Sequence, residues 1–239
     1  IILNKFSQSK ALKLSIIIPT LQEEAAIGSL LSYLRRHTSL GTEIVVADGG
    51  STDGTQSIAC KAGAKVIACT QRGRAFQMNR GAEAATGDVL YFLHADTLPP
   101  AGFEASIKMA VTKQCGSGCF RLVFDSRHWF LRLNAWFTRF NLDAVRFGDQ
   151  SLFVEKNIFA QAGGFNEKML LLEDQEIIAR LRRLASFKVL PQCVTTSSRK
   201  YKQVGTFKLQ AGYFLIYALY RFGFSQEQLV RTYKWLLQV

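Results

Sequence analysis

The chain has 239 residues, of which 48% are hydrophobic and 20% charged, with 18 glycines and 4 prolines. This is ordinary globular composition; it excludes a low-complexity linker and leaves room for one large domain or two small ones. The formal net charge of +12 favours acidic partners: nucleic acid, anionic lipid or phosphorylated small molecules.

The opening stretch IILNKFSQSKALK has neither a charged n-region nor a small-residue cleavage site, so no signal peptide is expected. Leu14-Ser15-Ile16-Ile17-Ile18 reads as a buried strand stopped by Pro19. A helix follows in EEAAIGSLLSYLRRH, with Ala26, Leu30, Leu34 and Ile27, Leu31 along one side. EIVVAD is a second strand. STDGTQSIACKAG is a helix that Thr52 or Asp53 can cap and Gly63 can end. AKVIAC, the helix RGRAFQMNRGAEAA and the strand DVLYFL complete the first half. Four strands alternating with helices predict an α/β fold with a parallel sheet, whose ligands sit at the carboxyl ends of the strands.

The second half is less regular. FEASIKMAVTKQ is helical and GCFRLVFD is a strand. HWFLRLNAWFTRF spaces Trp129, Leu133, Trp136, Phe137 and Phe140 as a helix would; a helix packing that aromatic face inward is expected ahead of an acceptor or membrane contact. EDQEIIARLRRL is a helix with Ile177, Leu181 and Leu184 inward. From residue 205 a basic, aromatic tail of amphipathic helices is expected, carrying Lys208, Arg221, Arg231 and Lys234 against Glu227. Its longest apolar run, AGYFLIYALY, is too short to span a bilayer, which takes roughly 20 residues. The expected division is a domain over 1–204, with lobes at about 14–98 and 99–204, and the tail over 205–239.

Five cysteines, an odd number with no C-x-x-C, argue against a disulfide framework and for a reducing cytoplasm. The three histidines cannot form a zinc motif of the H-E-x-x-H kind.

The expected rim carries the chemistry. Asp96 ends the loop His94-Ala95-Asp96 and could reach a divalent cation that bridges phosphates; a loop aspartate can equally cap a helix or stay solvated. Asp48 could accept from a base N–H or a ribose hydroxyl, or could simply form a turn. Glu173 and Asp174 fall in a helix's first turn, where they complement the macrodipole, yet either could act as a general base.

Taken together, SIIIPTLQEEAAI, EIVVADGGSTDGT, RGRAFQMNRGAEAATGDVLYFLHADT, GGFNE and LLEDQEIIARL resemble the family-2 glycosyltransferases, in that family's order and spacing. Within it, RGRAFQMNRGA, FLHADT, GDQ and SSRKY look like a bacterial subgroup linked to arsenosugar biosynthesis. The resemblance implies the nucleotide-sugar-binding GT-A fold, a mixed, mostly parallel central sheet flanked by helices. It implies an inverting transfer from a UDP- or GDP-type sugar to a hydroxyl of a small-molecule or lipid-linked acceptor. Thr20, Glu23 and Asp48 would hold the nucleoside, and Arg72 and Arg74 would lie near the nucleotide. Asp96 would bind the metal, Mn²⁺ or Mg²⁺. Gly163, Gly164 and Phe165 would shape the acceptor side, and Asp174, with Glu173 as the alternative, would be the base. Arg199 and Lys200 are candidates for a phosphate clamp or for a solvated basic loop. The family's Asp-x-Asp is replaced by His94-Ala95-Asp96, so His94 either ligates metal or touches the donor phosphates.

Two other readings are weighed: a catalytically inactive sugar-nucleotide binder, which the Glu173–Asp174 pair opposes, and a basic nucleic-acid binder, which the acid-rimmed loops oppose. A nucleic-acid partner is not expected. The tail is expected to pack on the domain, to form a homodimer, or to lie on an anionic membrane surface, which would make the protein peripheral to the membrane.

Overall fold

The computed structural model describes residues 12–142, 145 and 148–237; the reading of the N-terminal stretch therefore falls largely outside the described residues. An eight-stranded mixed sheet runs through the molecule in the order β3-β2-β1-β4-β7-β6-β8-β5. The strands are β1 (Leu14–Thr20), β2 (Glu43–Asp48), β3 (Lys65–Ala68), β4 (Val89–Phe92), β5 (Thr97–Leu98), β6 (Ser117–Phe124), β7 (Leu152–Glu155) and β8 (Phe187–Thr196). Pairings β1–β2, β2–β3, β1–β4 and β6–β8 are parallel; β4–β7, β6–β7 and β5–β8 are antiparallel.

Burial on both faces explains the continuous apolar strands. Leu14, Ile16 and Ile18 of β1 face a core with Ile27, Leu30, Leu31 and Leu34 of α1 (Glu24–His37) and Phe103 and Ile107 of α4 (Phe103–Thr112). Ile17 faces the opposite core, with Met78 and Ala82 of α3 (Arg74–Ala84) and Ile177, Ile178 and Leu181 of α7 (Glu173–Leu184). Leu184, expected inward, is 47% exposed at the end of α7. The α3 helix lies so close to β1 that a Cβ on Gly81 would come within 2.5 Å of Ile17 Cγ2, which is why a glycine stands there.

Pro19 does not stop β1, which continues to Thr20. Ile17 O accepts from Leu93 N on the β4 side. The nitrogen of residue 19 faces the same side, beyond the last residue of β4, where no ladder bond is lost.

The chain leaves β1 for β2 and β3, then returns to place β4 on the other side of β1. This reversal opens a crevice at the carboxyl ends of β1 and β4, the position where open α/β sheets hold ligands. The remaining helices are α2 (Thr55–Lys61), α5 (Trp129–Phe137), α6 (Lys156–Gln161), α8 (Arg199–Val204), α9 (Thr206–Arg221) and α10 (Gln226–Leu237). In the tail, α9 buries Leu209 and Ile216, and α10 buries Leu229. Leu131 of α5, Tyr201 of α8 and Leu209 of α9 form a separate small core.

The α5 helix reverses its expected orientation. Leu131 and Ala135 are buried, whereas the aromatic stripe faces out, with Trp129 64% and Trp136 45% exposed. No helix among the described residues is long and apolar enough to cross a membrane, and no disulfide forms among them.

Candidate active site

Asp48 ends β2 fully buried. It accepts from Thr20 Oγ1 (2.9 Å), Ser51 Oγ (2.6 Å), Ser51 N (2.8 Å), Gly50 N (3.1 Å) and Gln56 Nε2 (2.7 Å). Burial alone would raise its pKa; the donors, those of Ser51 foremost, outweigh it and hold the carboxyl below its ordinary value. Both oxygens thereby hold the loop after β2 in shape. Gln77 of α3 ties the neighbouring loops together: its Nε2 donates to Thr20 O (2.7 Å) and Ala47 O (2.8 Å).

At the crevice, a cavity of ≈ 250 Å³ is lined by Glu23, Arg74, His94, Asp96, Asp149 and Lys200, among others. His94 Nδ1 lies 3.1 Å from Asp149 Oδ1. Burial opposes protonation of His94, but the hydrogen bond to Asp149 prevails and raises its pKa; the same bond, against desolvation, lowers that of Asp149. Asp96 has no such help. Desolvation and then the Asp149 charge raise its pKa, with His94 and Arg199 only partly offsetting them. Glu23 is raised likewise, by burial and then by Asp96.

Among the described residues no three His, Cys, Asp or Glu side chains form a closed metal centre. A carboxylate whose charge is disfavoured by burial and by Asp149 nonetheless fits a hard divalent ion that draws most of its ligands from phosphate oxygens and water. The donor set is oxygen from Asp96 with an imidazole beside it, which suits Mn²⁺ or Mg²⁺ through Asp96 and Mn²⁺ better if His94 joins.

A second cavity of ≈ 170 Å³ shares Arg74, Asp149, Lys200, Tyr201 and Tyr213 with the first and adds Asp174. Leu172 takes a left-handed conformation (φ 65°) and turns the chain into α7. Of the two acids that follow, Glu173 is 1% exposed and its Oε1 lies 2.8 Å from Arg74 Nε. Asp174 is 7% exposed and lines the cavity. Burial first, then the Glu173 charge, raises its pKa to about 6. The surrounding carboxylates, Glu173 first, keep Arg74 protonated against the effect of burial.

Lys200 sits over the Tyr233 ring, 4.9 Å from its centroid, and its Nζ donates to the Tyr233 hydroxyl. Arg72 is exposed and lines neither cavity. The segment expected on the acceptor side also lies elsewhere. Gly163 and Gly164 have φ of 78° and 69° and line a separate cleft against α3. Phe165 is buried on Phe92, and Asn79 grips its backbone through Phe165 N (2.8 Å) and O (2.9 Å). Both φ values and this buried anchor make the segment a tight turn that lines neither the His94–Asp96 cavity nor the Asp174 cavity.

Asp149, Gln77 and the tail residues Tyr213, Ile216 and Tyr233 were assigned no site role from sequence. The first two lie within motifs quoted for the resemblance, GDQ and RGRAFQMNRGA. Nothing local marks the tail residues, because only packing of α9 and α10 carries them to the cavity.

The fold is GT-A, and the solved structures this chain resembles include glycosyltransferases. One is a mannosyltransferase from Pyrobaculum calidifontis in complex with GDP-Man and Mn²⁺: TM-score 0.70, 17% identity, covering 95% of this chain and 70% of that one. Another is glucosyl-3-phosphoglycerate synthase from Mycobacterium tuberculosis with Mn²⁺, UDP and glucosyl-3-phosphoglycerate: TM-score 0.61, 17% identity, covering 88% and 80%. Residues 15–153 match the model of glycosyl transferase family 2. The chain is also 32% identical over 177 residues to the PGL/p-HBAD biosynthesis glycosyltransferase of Mycobacterium tuberculosis, spanning 70% of this chain and 68% of that protein. The chain belongs to glycosyl transferase family 2.

Proposed function

We propose that this enzyme transfers a sugar from a nucleoside-diphosphate sugar to an acceptor hydroxyl with inversion, using Asp174 as general base. One observation carries the reading: Asp174 is buried, has a pKa raised to about 6, and lines a cavity that shares Arg74, Asp149 and Lys200 with the His94–Asp96 crevice. A base of that pKa takes a proton effectively near neutral pH. The acceptor hydroxyl gives its proton to Asp174 as its oxygen attacks the anomeric carbon from the face opposite the nucleotide. The bond to the diphosphate breaks, and its electron pair leaves with the phosphate oxygen.

Thr20, Glu23 and the loop held by Asp48 receive the nucleoside. Arg74 and Lys200, with Arg199 at the rim, stabilise charge as it develops on the diphosphate. Asp96, with His94 as ligand or phosphate contact, would hold Mn²⁺ or Mg²⁺, which when bound neutralises diphosphate oxygens. The structural neighbours carry GDP-Man or UDP with Mn²⁺, which supports a UDP- or GDP-type donor. The apolar lining of the Asp174 cavity (Leu171, Leu172, Tyr213, Ile216) supports an acceptor with an apolar portion, a lipid-linked one included. The narrower likeness to the arsenosugar-linked subgroup rests on sequence motifs alone and would make the acceptor a small molecule.

Calorimetric titration with UDP and GDP, each with Mn²⁺, Mg²⁺ or chelator, tests the donor side. Binding of one nucleotide that needs metal and is lost in Asp96→Ala is expected. No binding of any nucleoside diphosphate would remove the reading.

A further inference from the structure

On the outer side of β6 and α5 lies a cleft of ≈ 470 Å³ whose lining includes Arg121, Arg127, Arg132, Arg139, Ser126 and Trp136. Four arginines meet there without an ion-pair partner among the described residues. Arg121 Nε is buried with no hydrogen-bond partner. The only acid between positions 121 and 139, Asp125, accepts from Ser198 N at 2.7 Å and does not line the cleft. Arg139 packs over Trp136, 4.5 Å from the ring, so cation and aromatic form one surface. Guanidinium groups converging without acids are suited to a phosphate, which can accept their paired N–H donors.

Trp136 joins this cleft to an exposed aromatic stripe: Trp129, Leu133, Trp136 and Phe137 of α5 and Phe140 just beyond it, each at least 40% exposed. Phe207 at the start of α9 extends it, its ring 4.7 Å from that of Phe130 and 6.4 Å from that of Trp129. A helix that buries small and aliphatic residues and shows tryptophan and phenylalanine to water, with arginines alongside, has the composition of an interfacial membrane helix. We infer that this face docks on an anionic bilayer, with α5 lying in the interface and the arginine cleft holding a lipid phosphate headgroup. Charge complementarity selects the occupant: a neutral protein partner would leave the arginines unpaired, whereas an anionic leaflet supplies both phosphate and apolar depth.

The same face adjoins the active site. Leu122 and Phe124 line the arginine cleft, the Asp174 cavity and an intervening apolar cavity that also touches Phe137 and Phe214. Docking therefore sets an apolar passage toward Asp174 against the bilayer. The docking itself does not rest on the assigned chemistry.

The test is co-sedimentation of the full chain with phosphatidylcholine vesicles, with and without phosphatidylglycerol, over a salt series, together with tryptophan emission. Binding to the anionic vesicles, weakened by salt and accompanied by a blue shift, is expected. Arg127→Glu/Arg132→Glu should lower partitioning at least tenfold, and Trp129→Ala/Trp136→Ala should reduce it and remove the shift. Melting temperature and nucleotide titration of both variants should match the parent, which separates lost docking from lost folding or a failed donor assignment. Absence of binding to anionic vesicles, or binding indifferent to both double variants, would overturn the inference. So would glycerol phosphate binding at the arginine cleft without vesicle binding, which would make the cleft a site for soluble anions.

Discussion

Arg74 Nε lies 2.8 Å from Glu173 Oε1, and this contact separates the roles of two adjacent acids. Glu173 neutralises a cation that reaches into both cavities, and Asp174, the proposed base, lines the cavity beside it. Asp174→Asn should lower kcat by about 10²–10⁴-fold, the usual contribution of a positioned general base, with nucleotide affinity retained. Glu173→Gln should act differently. It removes the partner of a half-exposed arginine, so screening keeps the stability loss to about 1 kcal/mol, and Arg74 loses its orientation. Its donor KM should rise more than its kcat falls. Steady-state kinetics on the two variants distinguish the roles.

The raised pKa of Asp174 sets two opposite pH trends. As the proposed base it would work deprotonated, so kcat/KM should climb about tenfold per pH unit below about 6 and level above it. For stability, a carboxyl whose folded pKa exceeds its unfolded 3.8 binds more protons when folded between 3.8 and about 6. Its contribution therefore falls as pH rises through that window. Asp174→Asn should abolish the rising limb of the rate profile and raise the melting temperature relative to the parent above about pH 6.

Asp96 gives a comparable signature of function against stability. Burial first, then the Asp149 charge, disfavours its ionised form. Asp96→Asn should leave the ligand-free protein as stable or more so, while weakening metal-dependent nucleotide binding at least tenfold. Thermal melts with and without Mn²⁺ and nucleotide check both halves.

Gln77 is the structural counterpart. One buried amide nitrogen donates to Thr20 O, which also accepts from Gly49 N, and to Ala47 O, so Gln77→Leu removes two buried hydrogen bonds that tie the loops at the mouth of the crevice. A stability loss of about 1–3 kcal/mol follows from the two lost hydrogen bonds, measurable by chemical denaturation.

What the sequence reveals here is what neighbouring residues determine. Ile16, Val45 and Leu90 fall in apolar runs whose composition alone places them in two-sided strands, so the parallel half of the sheet is legible. His94, Asp96 and Asp174 are legible because strand ends and a helix's first turn are local features. The α5 stripe misleads, because spacing says that Trp129 and Trp136 share a face and cannot say which way the face turns; Leu131 and Ala135 take the core instead. Gly163 and Gly164 mislead for a related reason. Their turn is real, but the burial of Phe165 on Phe92 directs it away from the cavity. Tyr233 and Asp174, 59 positions apart, meet at one cavity only through packing of the tail.

That packing has its own handle in Gln226, at the start of α10. Its Oε1 accepts from Leu170 N (2.9 Å) and Leu171 N (3.0 Å), immediately before the left-handed Leu172 that turns the chain into Glu173 and Asp174. The tail thus holds the backbone that leads into Asp174, the proposed base. Gln226→Ala removes both acceptor contacts, a loss of about 1–2 kcal/mol, and should lower kcat several-fold while donor binding, proposed at the ends of β1, β2 and β4, is unchanged. Gln226→Glu retains an acceptor at the same reach and should restore most of the rate. If both variants retain parental kcat, the loop before α7 is positioned without the tail; if both lose donor affinity as well, α10 supports the whole crevice rather than the base alone.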